Sequence, residues 1–195
     1  MTNQKWYSLF FGVLSPFVRL AFPMKVTGRE NLPEGAALIC PLHSNIVDPI
    51  LISYAFGRKT FLRHLAKAES IRTPVFGWIM RRIGSIFVRR GESDIAAYKQ
   101  CVGVLKAGEK LLLFPEGTRV HGDGTVPTQT GVIHMAAAAR AAIVPVYLPR
   151  DKKAFRRVEI IIGKPYYVNI KSHDDYARLA DELMDTIWEL GGGRP

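Results

Sequence analysis

Cysteine is scarce in this sequence. Cys40 and Cys101 are its only two cysteines, and they lie far apart in the chain. Two distant cysteines exclude a disulfide-stapled scaffold and a metal site built from closely spaced thiolates. Cys40 ends the apolar run that starts at Ala36, which indicates a small core residue rather than a nucleophile. We therefore expect a reducing compartment and no metal site.

The sequence also has no uncharged hydrophobic run long enough to span a membrane. The segment Trp6 to Phe22 is almost wholly apolar, but it contains Pro16 and Arg19. It falls short of the ~20 apolar residues that a spanning helix needs. Only Lys5 precedes it as a cation, and no small-residue cleavage site follows it, so we expect the segment to be retained rather than removed as a signal peptide.

Pro16 divides this apolar segment, because proline lacks a backbone donor and disfavours helix at the preceding residue. We therefore expect two short helices, with the second one beginning at Pro16. Such a hairpin would be apolar on nearly every side and would need a membrane interface or a hydrophobic partner. The alternative is an arm that packs on the core of the domain.

Acidic residues are outnumbered by basic ones. The 195 residues include 27 Lys and Arg against 17 Asp and Glu, so the net charge is +10 and an anionic partner is expected. Nucleic acid, phospholipid headgroups and phosphorylated small molecules all qualify. A hydrophobic content of 48% excludes a disordered chain, and the length suits one domain.

Short apolar runs alternate with amphipathic stretches after Gly28. The alternation predicts an α/β fold with a mostly parallel central sheet flanked by helices, whose ligands bind beyond the carboxyl ends of the strands. The predicted strands are 36–40, 84–88, 110–114, 142–148 and 158–163. The predicted helices are 49–55, 74–83, 93–107, 131–140 and 174–190.

His43 and Asp48 follow the first predicted strand. They can meet only if His43 precedes the next helix and Asp48 lies in its first turn, and Asp48 followed by Pro49 is a natural N-cap for that helix. A histidine oriented by a carboxylate can take a proton from a hydroxyl near neutral pH. A plain helix cap with an unrelated loop histidine is the alternative.

Cations follow two other predicted strands. Arg89 and Arg90 end the second strand, and Phe114 to Arg119 follows the third. Arg119 can form two parallel bonds to a phosphate, with Thr118 adding another donor. The run 142–147 is broken by Pro145, which suits a strand edge or a wall beside a bound chain.

In this order, these segments resemble the glycerolipid acyltransferase family that includes the 1-acylglycerol-3-phosphate acyltransferases, over roughly residues 20 to 170. The family's first motif, His-x4-Asp, is similar to His43 through Asp48. Its second motif resembles Gly84 through Arg90, and its third matches Phe114 through Arg119 without a substitution. Its fourth resembles Val144-Pro145-Val146, and Lys67 is similar to a basic position between the first two motifs.

The resemblance implies that His43 is a general base oriented by Asp48. It also implies a set of substrate-binding residues, which are Lys67, Arg90, Glu116, Gly117, Thr118, Arg119 and Pro145. Ser44 adjoins His43 but is not part of the family's catalytic pair, and the motifs offer no convincing Ser or Cys nucleophile, so direct transfer without an acyl-enzyme is expected. The acyl donor would be acyl-CoA or acyl carrier protein as a co-substrate, with no bound cofactor, and a lysophospholipid would accept the acyl group.

The resemblance further implies a protein on the cytoplasmic face of the cell membrane, peripheral or monotopic. Residues 1–24 would be an interfacial helical segment and residues 25–195 the acyltransferase domain. Three basic pairs would attract an anionic membrane surface, with about 1 kcal/mol from each residue. These pairs are Arg81-Arg82, Lys152-Lys153 and Arg156-Arg157.

Two departures from the family pattern keep other functions open. Asn45 stands where many relatives have Ser, and Thr130 stands where many have Lys, which removes a cation near the expected phosphate site. One alternative is an enzyme that acylates glycerol 3-phosphate or another lipid. The other is a basic binding protein without catalysis, but there is no nucleic-acid motif, and a pure binder has no use for both His43 and Asp48.

Overall fold

The computed structural model describes residues 1–69, 74–89, 94–122 and 124–194. Six α-helices and seven β-strands lie within them, together with a short 3-10 helix at Arg29–Asn31. In chain order these are α1 (Asn3–Ala21), β1 (Met24–Thr27), β2 (Ala37–Pro41), α2 (Asp48–Phe56), β3 (Leu62–Lys67), α3 (Pro74–Arg82), β4 (Ile86–Val88), α4 (Ile95–Lys106), β5 (Lys110–Leu112), α5 (Gly131–Ala139), β6 (Ala142–Tyr147), β7 (Val158–Ile162) and α6 (Asp175–Leu190).

The strands form one sheet in the order β1-β7-β6-β2-β5-β3-β4. Neighbouring strands are parallel except for β6 and β7, which are antiparallel. The predicted α/β class with a mostly parallel sheet is confirmed. Because β5 and β6 both run parallel to the central strand β2, the loops after these three strands leave the same edge of the sheet.

Alternate residues of β2 pack on opposite faces of the sheet, as the two-residue period of a strand requires. Leu38 and Cys40 belong to the core beneath α4, α5 and α6. Ala37 and Ile39 belong to a second core beneath α2. Burial on both faces explains why the sequence of β2 is an unbroken apolar run.

Two strands were not predicted, β1 and β3. β1 is an edge strand of four residues whose alternate side chains are exposed, so its sequence carries little apolar signal. β3 is an interior strand that contains Arg63 and His64. Arg63 forms an ion pair with Glu109 at 2.7 Å, and His64 bonds Ser53 at 3.0 Å. These tertiary partners make polar residues tolerable in a strand.

The N-terminal helix α1 runs unbroken from Asn3 to Ala21 with Pro16 inside it. The prediction of two short helices divided at Pro16 is therefore wrong. An interior proline costs about 3 kcal/mol, and packing along the helix offsets this cost. Tyr7 and Phe11 are buried, the Tyr54 hydroxyl donates to the Phe11 carbonyl, and the N–H of Phe22, just past the helix, donates to a carbonyl of its last turn.

Among the described residues, no helix is both long enough and apolar enough to cross a membrane. This agrees with the short hydrophobic run found in the sequence.

Candidate active site

The loop after β2 brings His43 and Asp48 together. His43 Nδ1 lies 3.0 Å from Asp48 Oδ2, and the backbone N–H groups of Ser44 and Asn45 each donate to the same oxygen at 2.7 Å. Because a carboxylate only accepts hydrogen bonds, the histidine hydrogen is on Nδ1. Nε2 is then the basic nitrogen, and it makes no hydrogen bond within the described part of the chain.

Asp48 lies in the first turn of α2 and His43 lies ahead of the helix, which is the arrangement that allows the two to meet. The predicted N-cap role of Asp48 is wrong, because Val47 occupies the N-cap position and Asp48 is the first helical residue. The Asp48 carboxylate turns back to the amides of the preceding loop instead of capping the amides of the helix.

The second Asp48 oxygen faces a buried lysine. Lys152 Nζ lies 3.0 Å from Asp48 Oδ1, and both side chains are almost completely buried. Burial would raise the pKa of Asp48, but the bond from His43, the Lys152 charge and the two loop amides outweigh burial and lower the pKa. Asp48 is therefore held as an anion.

Lys152 was predicted, with Lys153, to attract a membrane surface, and for Lys152 this is wrong. Its side chain is only 1% exposed, and Nζ also donates to Ser44 Oγ at 2.9 Å and to the Pro149 carbonyl. Burial lowers the pKa of Lys152, and the nearby Asp48 carboxylate opposes this shift.

Glu116, in the loop after β5, supports the His43 loop from a second side. Its Oε2 accepts the backbone N–H of His43 at 2.6 Å, and its Oε1 forms an ion pair with Arg150. Burial raises the pKa of Glu116, although the bonds from His43 and Arg150 oppose the rise. With both oxygens engaged by protein groups, Glu116 links the loops that follow β2, β5 and β6.

Phe114 and Gly117 shape the same loop. The Phe114 ring stacks on the His43 ring, with centroids 3.9 Å apart, and the Val120 N–H donates to the His43 carbonyl at 2.8 Å. Gly117 has a φ of +62°, and an added Cβ would lie 2.9 Å from Gln129 Cγ. The loop therefore requires glycine at this position for both conformation and space.

A cavity of about 630 Å³ opens beside His43. Its polar lining includes five of the seven predicted substrate-binding residues, together with Arg89; the five are Lys67, Glu116, Gly117, Thr118 and Arg119. Most of the remaining wall is apolar and comes from Ile46, Leu65, Phe76, Met80, Val88, Leu112, Leu113, Phe114, Val126, Val132 and Met135. A cationic end beside His43 and an apolar wall suit a phosphorylated lipid.

The other two predicted substrate-binding residues are Arg90 and Pro145. Arg90 lies outside the residues that the structure describes. Pro145 is not among the residues that line the cavity. It is buried in β6, between β7 and β2, so the prediction of a strand edge is wrong.

The pairing of β6 explains how an interior strand accommodates a proline. Its antiparallel pairing with β7 covers only Val146 and Tyr147, and Ile143 bridges to Tyr166 instead. The ladder is therefore interrupted at Pro145, where a backbone donor is missing.

Cys40 and Cys101 are both free and buried, which confirms Cys40 as a core residue. Burial raises the pKa of both thiols, for Cys101 to about 12, so neither is activated as a nucleophile. In the described ranges, no group of three or more His, Cys, Asp or Glu residues could hold a metal ion.

Sequence reasoning missed the supporting roles of Arg150 and Lys152. Arg150 bonds Glu116 and lies 4.8 Å above the Trp188 ring, and Lys152 bonds Asp48. Both residues follow β6 closely, at the edge of the sheet where the other site loops meet. Their position after a buried strand was the one signal in the sequence that indicated a role at the site. Charged residues in a loop are usually solvated, so this signal was weak.

Comparison with known proteins agrees with this geometry. The acyltransferase family model matches residues 23–149. The chain belongs to the acyltransferase family. It is 30% identical over 169 residues to the 1-acyl-sn-glycerol-3-phosphate acyltransferase of Borreliella burgdorferi, covering 85% of this chain and 67% of that protein. With the Bacillus subtilis protein of the same name it is 27% identical over 195 aligned residues, covering 94% and 96%.

A solved structure shares the fold of this acyltransferase. The crystal structure of the 1-acyl-sn-glycerophosphate (LPA) acyltransferase PlsC from Thermotoga maritima matches with a TM-score of 0.71. The match has 21% sequence identity and covers 96% of this chain and 79% of the other.

Proposed function

We propose that this acyltransferase moves a fatty acyl group from a thioester to the free hydroxyl of 1-acylglycerol 3-phosphate, which yields phosphatidate. The observation that carries the proposal is the His43–Asp48 pair, with a 3.0 Å bond, at the cationic end of a largely apolar cavity. The names of the relatives support the same acceptor.

In the proposed reaction His43 Nε2 takes the proton of the acceptor hydroxyl as its oxygen attacks the thioester carbonyl. The carbon–sulfur bond then breaks, and the thiolate leaves with the proton that His43 returns. Asp48 keeps the hydrogen on Nδ1 and stabilises the imidazolium that forms. Acyl-CoA or acyl carrier protein acts as a co-substrate, and the reaction uses no bound cofactor.

Cations beside His43 hold the acceptor phosphate in this proposal. Lys67 and Arg119 line the cavity, Thr118 adds a hydroxyl donor, and Arg119 is exposed enough to meet a phosphate from solvent. A bidentate arginine contact also orients the acceptor and so places its hydroxyl near Nε2. Glu116 acts on the substrate indirectly, because its carboxylate holds the His43 backbone.

The proposal is tested by acyl transfer to 1-acylglycerol 3-phosphate in detergent micelles, with acyl-CoA and acyl carrier protein thioesters as donors. Loss of the proton acceptor in His43→Ala should reduce kcat at least ~100-fold. Arg119→Ala should mainly raise the KM of the acceptor. His121→Ala and Arg178→Ala are the matched controls, because both residues are exposed and neither lines the cavity.

Transfer by the native protein to glycerol 3-phosphate but not to its 1-acyl form would replace the proposed acceptor. No transfer from either donor by a folded protein would refute the proposed activity.

We also propose that the protein binds the cytoplasmic face of the cell membrane as a peripheral or monotopic protein. α1 packs beside α3, since the Trp78 ring lies 5.4 Å from Trp6 and 5.9 Å from Phe10. The exposed apolar residues of the two helices form what we call the α1–α3 surface. They are Leu9, Val13, Leu14, Phe17, Leu20, Val75, Phe76 and Trp78.

The α1–α3 surface adjoins the cavity, because Phe76 belongs to both. A lipid acceptor could therefore enter from a bilayer without crossing water. Arg81 and Arg82 are exposed at the end of α3 and would face anionic headgroups. In this proposal residues 1–24 form the interfacial segment and residues 25–195 the acyltransferase domain.

Flotation with vesicles of phosphatidylcholine and phosphatidylglycerol tests the membrane proposal. The double variant Phe17→Asp, Leu20→Asp should lose most of its vesicle-bound fraction, because both residues are about 70% exposed on the α1–α3 surface. Tyr167→Asp is the control, since Tyr167 is 69% exposed but lies between β7 and α6. Equal flotation of the double variant and the native protein would contradict the proposal.

A further inference from the structure

Lys152 occupies an unusual position for a lysine. Its ammonium group is buried beneath the loop that carries His43, and it contacts Asp48 Oδ1, Ser44 Oγ and the Pro149 carbonyl. Two of these contacts are hydrogen bonds, and the contact with Asp48 is an ion pair. A lysine at this depth loses its hydration, and only a specific network can compensate for that loss.

The two oxygens of Asp48 have different partners. Oδ2 receives His43 Nδ1 and the loop amides of Ser44 and Asn45. Oδ1 faces the Lys152 ammonium at 3.0 Å, its ion-pair partner within the described part of the chain. The ammonium thus faces one side of the carboxylate, while the imidazole and the loop amides hold the other.

We propose that Lys152 is a positioning residue for acyl transfer, whose ammonium orients the Asp48 carboxylate and whose charge keeps the His43–Asp48 pair free of an additional proton at neutral pH. The inference rests on the proposed function, in which His43 must begin each cycle unprotonated. Lys152 touches neither the substrate nor the reacting atoms, and it acts through Asp48.

Other charges near the pair come from the loops after β5 and β6 and from Lys67 and Arg119, which line the cavity beside His43 and are assigned to the acceptor phosphate. Glu116 and Arg150 are paired with each other, so their charges largely cancel at His43. Asp151 follows Arg150 and acts on Lys152, raising its pKa slightly against the effect of burial. Lys152 is therefore the cation that directly balances Asp48.

The charge matters more when substrate is bound. A phosphate dianion held near His43 favours the imidazolium, which cannot act as a base. The Lys152 cation opposes this effect by making protonation of the pair less favourable. This opposition has the same sign whichever of the two residues carries the extra proton, because the pair titrates as a unit.

The pH dependence of kcat/KM tests the inference in the variant Lys152→Met, which removes the charge but keeps a long side chain. Loss of a neighbouring cation should move the acid limb to higher pH by about 1 unit. At a pH below the acid limbs of both proteins, the kcat/KM of the variant relative to the native protein should therefore be about 10-fold lower than the same ratio on the plateau. Lys152→Arg should keep the native limb even if its larger head lowers the plateau rate.

Lys153→Met is the control for the charge alone, because Lys153 is adjacent and exposed. A Lys152→Met profile that is lower at every pH but keeps the native limb would overturn the inference and leave Lys152 a purely structural residue. An unchanged profile would overturn it as well.

The NMR signal of the His43 Nδ1–H proton at a fixed pH separates this inference from the proposed activity, since it needs no substrate. Lys152→Met should shift this signal, because the Asp48 carboxylate that accepts the bond from Nδ1 loses its cation, whereas Lys152→Arg should leave it in place. Ser44→Ala serves if Lys152→Met does not fold, because it removes one Lys152 partner without removing the charge. Its Nδ1–H signal should stay near the native position, and a displaced signal would contradict the charge argument.

Discussion

The Glu116 carboxylate accepts the backbone N–H of His43 at 2.6 Å. The bond joins the loop after β5 to the loop after β2, two strands that are neighbours in the sheet. Because Glu116 is also paired with the buried Arg150, this carboxylate links the position of the His43 loop to that of Arg150.

Replacing Glu116 by Gln should destabilise the protein strongly. The substitution leaves the Arg150 guanidinium, only 7% exposed, without its counter-ion, and breaking a buried pair costs about 3–5 kcal/mol. Urea denaturation measures the loss. Glu159→Gln is the matched control, because its pair with Lys25 is about half exposed and should contribute little. Similar unfolding midpoints for the two variants would contradict this account.

Replacing Gly117 by Ala should raise the KM of the acceptor as well as lower stability. The left-handed backbone at φ +62° costs about 1–2 kcal/mol with a Cβ, and the methyl group would also displace Gln129. Gly108→Ala separates the two effects, since Gly108 has φ +81° but no atom within 4 Å of the place its added Cβ would occupy. It should lose similar stability and keep the native KM. A normal KM in Gly117→Ala would argue against a substrate-binding loop.

Stability should fall between neutral pH and pH 5 in part through His64. Burial lowers the pKa of His64 to about 4, so the folded state binds fewer protons than the unfolded state in this range. Stability from the neutral imidazole is complete above the unfolded pKa near 6.5 and declines as the pH falls toward 4, by about 2 kcal/mol at pH 5.

Urea midpoints at pH 7.5 and pH 5 check this expectation. Between these two pH values the urea midpoint of His64→Gln should decrease less than that of the native protein. The midpoint of His121→Gln, at an exposed position, should show the full decrease. Equal decreases in all three proteins would remove His64 as a cause of acid destabilisation.

Replacing Pro16 by Ala should stabilise the protein. Pro16 is exposed within α1, and alanine would restore a backbone donor in the helix interior. Alanine also gives the unfolded chain more freedom, which offsets part of this gain. Thermal unfolding should therefore show a net increase of about 1–2 kcal/mol in the free energy of unfolding. Pro33→Ala, outside the helices, lacks the gain and should be neutral or destabilising. A lower melting temperature for Pro16→Ala would mean that the proline shapes the helix.

Local patterns were enough to predict much of the fold. The apolar runs that became β2 and β6 are buried on both faces, and the helices from α2 to α6 follow amphipathic or apolar stretches. β1 and β3 were not predicted because neither has an apolar pattern. β1 is a half-exposed edge strand, and β3 contains Arg63 and His64. Their stability comes from partners distant in the sequence.

The sequence by itself determined the α/β class and the order of the motifs, and it permitted the pairing of His43 with Asp48, because each depends on neighbours along the chain. Only the tertiary structure decided that α1 continues through Pro16 and that Lys152 is a buried partner of Asp48. Burial and charge pairing depend on which distant segments meet. The sequence pattern around a basic loop residue is the same whether the side chain faces water or a buried carboxylate.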